Sequence, residues 1–205
     1  MTTSRFLSAF VLLCAGGCVP ITSTSLRSQA DPVAVKKGFK HVMVVGDFAD
    51  IGLQQDAERL CVNELRGHGH QATTSNFLFF PGRQYASAEI QTILNDAGID
   101  AILILSPNET GSSSTWIPPT TSTSGNATIQ GNTVRGSSTT TTSGGYSVEK
   151  PWARFHADLL DRAAGHSVWV ATFNAGGNAF ADLGNLVRSM GSKTGAALVK
   201  EGLLR

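Results

Sequence analysis

The sequence predicts a domain of the α/β (α+β) class, and three patterns along the chain support this. Apolar, β-branched runs alternate with segments of helical periodicity in the first half, which indicates a β-α-β-α-β unit. A long Ser- and Thr-rich segment then has the pairing pattern of a β-hairpin. An alternating strand pair and a long amphipathic helix follow it. We therefore expect a central mixed sheet, a β-hairpin insertion, an antiparallel β-pair and a C-terminal helix.

The β-α-β-α-β unit has the clearest periodicity. Its predicted elements are strands 40–48, 71–75 and 100–106 and helices 53–65 and 87–98. Asp50 and Ser87 are candidate N-caps of the two helices. Cys61 recurs at helical spacing with apolar neighbours, so we expect a core residue and not a reactive thiol. Leu60 and Ile102 are also expected to be buried. Connected in this order, the strands would be parallel with right-handed crossovers.

Residues 110–147 have a different composition from the rest of the chain. More than half are Ser or Thr, and Arg135 is the only charged residue. Their low apolar content makes disorder one interpretation. We favour a hairpin with a type II′ turn at the Gly131-Asn132 dipeptide, because one register then pairs favourable neighbours at both ends. The Pro118-Pro119 dipeptide interrupts the first arm, so pairing there requires a sheet edge or a bulge. The predicted pairs are Ile129 with Val134, Thr123 with Thr140, Thr121 with Thr142 and Ile117 with Tyr146.

Two strands and a helix complete the predicted domain. Residues 152–160 and 168–173 alternate between polar and apolar side chains, which predicts an antiparallel pair joined by a turn. Apolar residues at helical spacing begin at Phe180 and continue to Leu198. Glycines within that last segment are expected to weaken the helix.

The first residues have the composition of an export signal. Arg5 precedes an apolar run over 6–14 that is too short to span a bilayer as a mature helix. Small residues at 15–17 lead directly into Cys18. This pattern resembles a bacterial lipoprotein signal peptide. The resemblance implies that residues 1–17 are removed and that Cys18 carries the lipid that holds the protein to a membrane. The alternative is an ordinary secretory signal in which Cys18 is incidental.

Composition limits the classes of function. Arg5 is the only one of 16 basic residues in the signal segment, so 15 basic residues face 15 acidic ones in the mature chain. This balance gives no basic surface for nucleic acid. With Cys14 in the signal and a lipid on Cys18, Cys61 is the last thiol, so no internal disulfide is expected. The predicted organisation is a signal peptide (1–17), a flexible tether (18–38, or an edge strand near 33–35) and a single domain (39–205) with the insertion at 110–147.

The order of elements resembles a known group. A lipoprotein tether, the β-α-β-α-β unit, a strand pair containing Asp161, Gly165 and Trp169, and a last helix ending LVKEGLL are similar to the TolB N-terminal and CsgG-type envelope lipoproteins. The resemblance spans roughly 39–204. It implies a periplasmic assembly or accessory role and frequent oligomerisation, and it transfers no functional residues. In CsgG-type proteins, polar hairpins inserted in this domain assemble into a membrane pore.

Candidate catalytic and binding motifs are weak. His68 and His70 lack further metal ligands at a recognisable spacing. Gly46 follows a strand where a phosphate loop would lie, but no G-x-G-x-x-G motif or Walker lysine accompanies it. His156 and Asp158 share a strand face without a G-x-S-x-G serine. We therefore predict no catalytic, cofactor-binding or metal-binding residue, no cofactor and no evident small-molecule substrate.

The favoured function is a non-enzymatic lipoprotein that acts as an envelope assembly or accessory component. It would lie on the periplasmic face of the outer membrane and form a homo-oligomer or bind an envelope protein. One alternative is a hydrolase in which His156, Asp158 and a serine converge. Another is a subunit of an oligomeric outer-membrane pore, which requires alternating apolar and polar side chains, whereas this hairpin reads as polar on both faces. The candidate partner-contact residues are Trp116, Ile117, Ile129, Val134 and Tyr146.

Replacing the predicted lipid-bearing residue tests the anchoring. We expect Cys18→Ser to block processing or to release the protein from membranes, because serine offers no thiol for acylation. Membrane fractionation together with the mass of the mature protein measures this. Maturation of the variant with lipid still attached would contradict the prediction. Val19 follows the cysteine where an aspartate would favour inner-membrane retention, so we expect the wild type in the outer-membrane fraction.

Overall fold

The computed structural model describes residues 19–205, so the prediction for Cys18 lies outside the described residues. The elements are β1 (Thr22–Ala30), α1 (Pro32–Lys37), β2 (His41–Gly46), α2 (Ile51–Gly67), β3 (Gln71–Thr74), α3 (Ser75–Leu78), α4 (Ser87–Asp96), β4 (Ala101–Ile117), β5 (Thr120–Gln130), β6 (Thr133–Ser143), β7 (Tyr146–Asp161), β8 (His166–Gly177) and α5 (Leu183–Lys200).

A six-stranded mixed sheet organises the domain, as the sequence predicts. Its strand order is β1-β8-β7-β4-β2-β3. β2 lies parallel to both β3 and β4, which confirms the β-α-β-α-β unit. The remaining neighbours, β4 with β7, β7 with β8 and β8 with β1, are antiparallel. The motif residues Asp161 and Gly165 form the turn between β7 and β8, where Gly165 has φ 71°.

Helices cover the two faces of this sheet unequally. α2 and α5 cover one face and enclose the main core, which includes Leu103, Phe155 and Trp169. On the opposite face, α4 covers only β2 and β4, around Met43 and Leu94. The layering is therefore α/β/α over the parallel strands and two-layered over β7, β8 and β1.

The close packing of α2 against α5 depends on two glycines. A Cβ on Gly191 would lie 3.0 Å from the Ala57 carbonyl oxygen, and one on Gly195 would lie 2.8 Å from the Glu64 side chain. The sequence suggested that these glycines weaken the helix. In the structure they instead let its backbone approach α2. Phe180, expected in the same helix, lies outside it because α5 begins after the capping residue Asp182.

The expected flexible tether is wrong for most of its length. Residues 22–30 form β1, which pairs along its whole length with β8. Asp31 then caps α1, where Pro32 occupies the first turn. The alternative of an edge strand near 33–35 is also wrong, because those residues are helical. β1 escaped detection since its residues are mostly polar and its stability comes from the backbone ladder with β8.

Two burial predictions need correction, and one is confirmed. Leu60 and Ile102 are only half-buried, because each lies one position away from the residues that face the main core, Cys61 and Leu103. Cys61 is fully buried, as predicted. Burial raises the pKa of its thiol and keeps it protonated.

Asp161 fastens α1 to the turn between β7 and β8. The Lys37 ammonium donates to Oδ2 at 2.5 Å, and the Ala163 and Ala164 amides donate to Oδ1 at 2.9 and 3.2 Å. Burial by itself would raise the pKa of the Asp161 carboxyl. The hydrogen bonds from Lys37, Ala164 and Ala163 outweigh burial and hold that pKa below its usual value.

We predict that Asp161→Asn lowers the free energy of unfolding at pH 7 by about 1–2 kcal/mol. A lowered folded-state pKa stabilises the protein above the unfolded value of about 4, and this contribution is lost as the pH falls through the folded value. The deficit of the variant should therefore shrink at about pH 3. Urea unfolding at both pH values measures it. Asp96→Asn, on the exposed side of α4, is the control. An equal deficit at both pH values would contradict the assignment.

Candidate functional site: a projecting two-part ribbon

β4 and β7 continue beyond the sheet as a two-stranded ribbon. β2 leaves β4 after Leu105, and β8 leaves β7 at Trp152. Past that level, within the described residues, the two strands pair only with each other, to Ile117 opposite Tyr146. A bulge between Pro107 and Glu109 lies just before the ribbon leaves the domain. We call residues 112–117 with 146–151 the proximal ribbon.

A joint separates the proximal ribbon from the part beyond it. The Pro118-Pro119 dipeptide lacks backbone donors and ends the first ladder. Gly144 and Gly145 face it with φ angles of 101° and 74°. A Cβ on Gly144 would lie 2.5 Å from the Pro118 carbonyl oxygen, so a larger residue does not fit there. Glycine opposite proline therefore allows the chain to start a second ladder. The predicted interruption at the prolines is confirmed.

β5 and β6 form that second ladder, which we call the distal ribbon. Its register contains three of the four predicted pairs, Thr121 with Thr142, Thr123 with Thr140 and Ile129 with Val134. The fourth, Ile117 with Tyr146, is the last pair of the proximal ribbon. The threonine hydroxyls of the first two pairs lie 3.3 and 3.1 Å apart. Gly131 has φ 61° and Asn132 does not have a positive φ, as a type II′ turn requires. The hairpin interpretation is confirmed, and the disordered alternative is wrong.

The two faces of the distal ribbon differ near its tip. Because side chains alternate along a strand, Ala127, Ile129 and Val134 share one face, with Gly125 and Gly136 beside them. The opposite face carries Asn126, Thr128, Gln130, Thr133 and Arg135. Ile129 and Val134 are 74% and 66% exposed. The expectation of a hairpin that is polar on both faces is therefore wrong at the tip, where the register aligns the apolar residues of the two arms.

The predicted partner-contact residues divide into two groups. Trp116, Ile117 and Tyr146 lie at the end of the proximal ribbon, and Trp116 and Tyr146 are 59% and 55% exposed. Ile129 and Val134 lie at the tip. The distal ribbon separates the groups by about 30 Å, at about 3.3 Å per residue. The structure pairs Ile117 with Tyr146 and Ile129 with Val134, and it keeps the two groups apart. Trp116 lies opposite Ser147.

The charged residues of the ribbon lie at its base, except for one near the tip. Glu109 and Arg154 form an ion pair of 3.0 Å at its base. Glu149 and Lys150 follow, opposite Ser114 and Ser113. Beyond Glu149 the only charged residue is Arg135, near the tip. The ribbon is therefore a long, exposed and almost uncharged surface whose edges lack the lysines that usually discourage strand pairing.

Sequence reasoning missed a buried carboxylate at the carboxyl ends of β2 and β3. Glu58 is fully buried on α2 and accepts hydrogen bonds from the Gly46 amide at 2.9 Å, Ser75 Oγ at 2.7 Å and Gln54 Nε2 at 3.1 Å. Asn76 donates to its second oxygen. An acidic residue on the apolar face that holds Cys61 was the available signal. Because the Gly46 amide donates its hydrogen bond to Glu58, it is not available to bind a phosphate.

The other sequence candidates stay separate. His156 lies beside Arg27 and Ser28 on the open sheet face. Asp158 accepts a hydrogen bond from Ser167, and among the described residues no hydrogen bond joins His156 to Asp158 or to a serine. Within 19–205, no group of His, Cys, Asp and Glu side chains could hold a metal ion, and no helix is long and apolar enough to cross a membrane.

Comparisons with known proteins give only distant structural similarities. No protein-family model and no curated protein match this chain. A PelC dodecamer from Paraburkholderia phytofirmans is similar in structure, with 17% identity over 89% of this chain and 99% of that one and a TM-score of 0.48. Lipoprotein GNA1162 from Neisseria meningitidis has 14% identity over 78% and 98%, with a TM-score of 0.41. Because these scores lie below 0.5, they establish neither a family nor a function. The resemblance to the TolB and CsgG-type group stays a prediction.

A double-cysteine variant tests the register of the distal ribbon. Thr123→Cys with Thr140→Cys should form an internal disulfide under mild oxidation, because the two residues are directly opposed and their hydroxyl oxygens lie 3.1 Å apart. Non-reducing electrophoresis after protease digestion, or the intact mass, measures it. Thr123→Cys with Thr139→Cys is the matched control, since Thr139 lies on the other face. Equal cross-linking of both variants would contradict the register.

Proposed function

We propose that this protein is a non-enzymatic, lipid-anchored component of the bacterial cell envelope that assembles with copies of itself through the ribbon. The proximal and distal ribbons are the observation that carries the proposal. They project from a compact domain, expose apolar and aromatic side chains and are almost without charge. The predicted export signal and the predicted lipid on Cys18 support an envelope location, and the outer membrane is the proposed site of the anchor.

The energetics of an isolated ribbon support self-association. Within residues 19–205, β5 and β6 pair only with each other, and an isolated two-stranded sheet is marginally stable in water. Each also has an outer edge of unpaired backbone groups that attracts further strands. Neighbouring copies would supply those strands, because each carries the same Thr-rich, uncharged edges. Assembly through the ribbon would therefore stabilise the ribbon itself.

Shortening the ribbon tests the proposal without disturbing the core. Ile117 and Tyr146 are directly opposed, so a Gly-Asn turn in place of residues 118–145 closes the proximal ribbon with little strain. We expect the shortened protein to unfold at the wild-type temperature but to lose oligomeric mass. Sedimentation of both proteins in the same detergent measures this.

A second variant distinguishes assembly through the strand edges from assembly through apolar side chains. Ile129→Ser with Val134→Ser keeps the backbone ladder and removes the apolar tip. If strand edges drive assembly, this variant should retain the oligomeric mass that the shortened protein loses. Wild-type mass in the shortened protein would contradict assembly through the distal ribbon.

A further inference from the structure

β1 is an edge strand whose outer side has no partner within residues 19–205. Just before it, the Ile21 carbonyl accepts from the residue that follows β8 at 3.0 Å, and just after it the Asp31 amide donates to a β8 carbonyl at 2.8 Å. Because backbone groups alternate in direction along a strand, the odd-numbered residues between these two face β8. The N–H and C=O groups of Thr24, Leu26 and Ser28 therefore point away from the sheet.

An open groove runs between this edge and α5. The helix is held to β1 where Thr24 Oγ1 lies 2.7 Å from Ser189 Oγ. A cleft of about 520 Å³ lies between Leu26 and the last turns of α5. A second cleft of about 340 Å³ continues towards Thr22, and Lys193 borders both. We call the two clefts together the edge groove. Leu26 faces it and is only half-buried.

The edge groove has the position of a missing strand. A further strand would lie about 4.8 Å outside β1, and every second side chain of it would point towards α5 into the groove. β1 also lacks the features that discourage such pairing. Its nine residues contain no lysine and no proline, and its ladder with β8 has no bulge. The edge is therefore open to strand addition.

The lining of the groove favours a negatively charged occupant. Lys193 and Lys200 border it, and neither forms an ion pair within residues 19–205. The carboxylate of Glu201, in the same lining, already accepts hydrogen bonds from Ser28 Oγ and from Trp169 Nε1. The floor near the two lysines is apolar and consists of Leu26, Ala196 and Ala197.

The spacing of the lysines predicts a sequence pattern for the added strand. Lys193 and Lys200 are seven residues apart on α5, or about 10.5 Å along the helix. The first and fifth residues of a strand face the same side and lie about 13 Å apart. Acidic side chains at these two positions can reach both ammonium groups, and an apolar third residue meets the floor. The pattern acidic–x–apolar–x–acidic reads the same in both directions, so it suits parallel and antiparallel addition.

We propose that β1 binds an extended acidic segment of another protein as a seventh strand of the sheet, with the pattern acidic–x–apolar–x–acidic facing α5. Backbone hydrogen bonds along the edge supply affinity, and the groove supplies specificity. A second copy of this chain lacks this chemistry, because β1 carries no carboxylate and the only charged residue of the distal ribbon is Arg135. The site uses no residue of the ribbon, so it is independent of the proposed self-association.

Fluorescence anisotropy with synthetic peptides on the full mature chain tests the charge preference. The probe is fluorescein-labelled STETVTETS, and its control is STKTVTKTS. We expect the wild type to bind the acidic peptide about tenfold more tightly than the basic one. Lys193→Glu with Lys200→Glu should reverse this preference. Lys36→Glu with Lys150→Glu changes the net charge equally at exposed positions outside the groove and should keep it.

A proline on the outer edge tests strand addition. Thr24→Pro removes an outward N–H but no hydrogen bond to β8, and edge strands tolerate proline at such positions. Thr24→Val is the matched control, because it removes the same hydroxyl and keeps the N–H. We expect Thr24→Val to bind the acidic peptide as the wild type does, and Thr24→Pro to bind it about tenfold more weakly.

Each outcome decides one part of the proposal. Equal binding of the two peptides by the wild type, or binding of neither, overturns it. An unchanged preference after reversal of Lys193 and Lys200 overturns the acidic pattern, and this result does not depend on the folding of the proline variant. Equal binding by Thr24→Pro and Thr24→Val overturns strand addition. The protein with residues 118–145 replaced should bind the acidic peptide like the wild type, and loss of binding there would overturn the independence of this site from the ribbon.

Discussion

The antiparallel ladder between β4 and β7 is the interaction on which the rest of the structure depends. It begins at Ala101 opposite Asp161 in the centre of the sheet and ends at Ile117 opposite Tyr146 outside the domain. Its inner half supplies Leu103 and Phe155 to the main core. The outer half has no core to stabilise it. Because the same two strands continue from the sheet into the ribbon, the sheet holds the base of the ribbon in place.

The ordered N-terminal segment changes what the ribbon can do. A long flexible tether would let the domain turn freely at a membrane and would leave the direction of the ribbon undefined. β1 instead uses nine residues of that segment to extend the sheet, and Lys37 with Asp161 fixes the helix that follows. The direction of the ribbon relative to the start of β1 is therefore a consequence of the pairing of β1 with β8.

Much of the ribbon could be predicted from the sequence, because a hairpin is local. Turn chemistry at Gly131 and pairing of threonines specify one register, and no distant residue is needed to choose it. The β-α-β-α-β unit was equally accessible through its periodicity. The burial of individual residues was harder to predict from the sequence. Leu60 and Ile102 satisfy the periodicity but lie beside the core-facing positions, because a shift of one residue changes the face on which a side chain lies.

The sequence by itself determined the order of the main elements from β2 to α5, the hairpin register and the candidate lipid-bearing cysteine, all of which depend on neighbouring residues. Only the tertiary structure decided three features that join distant segments. β1 exists because it pairs with β8, whose residues lie 139 to 155 positions further along the chain. Glu58 is stable when buried because Gly46, Ser75 and Asn76 converge on it. The start of β1 and the ribbon lie at the same end of the sheet because strand direction, which no local pattern encodes, is set by sheet order and pairing.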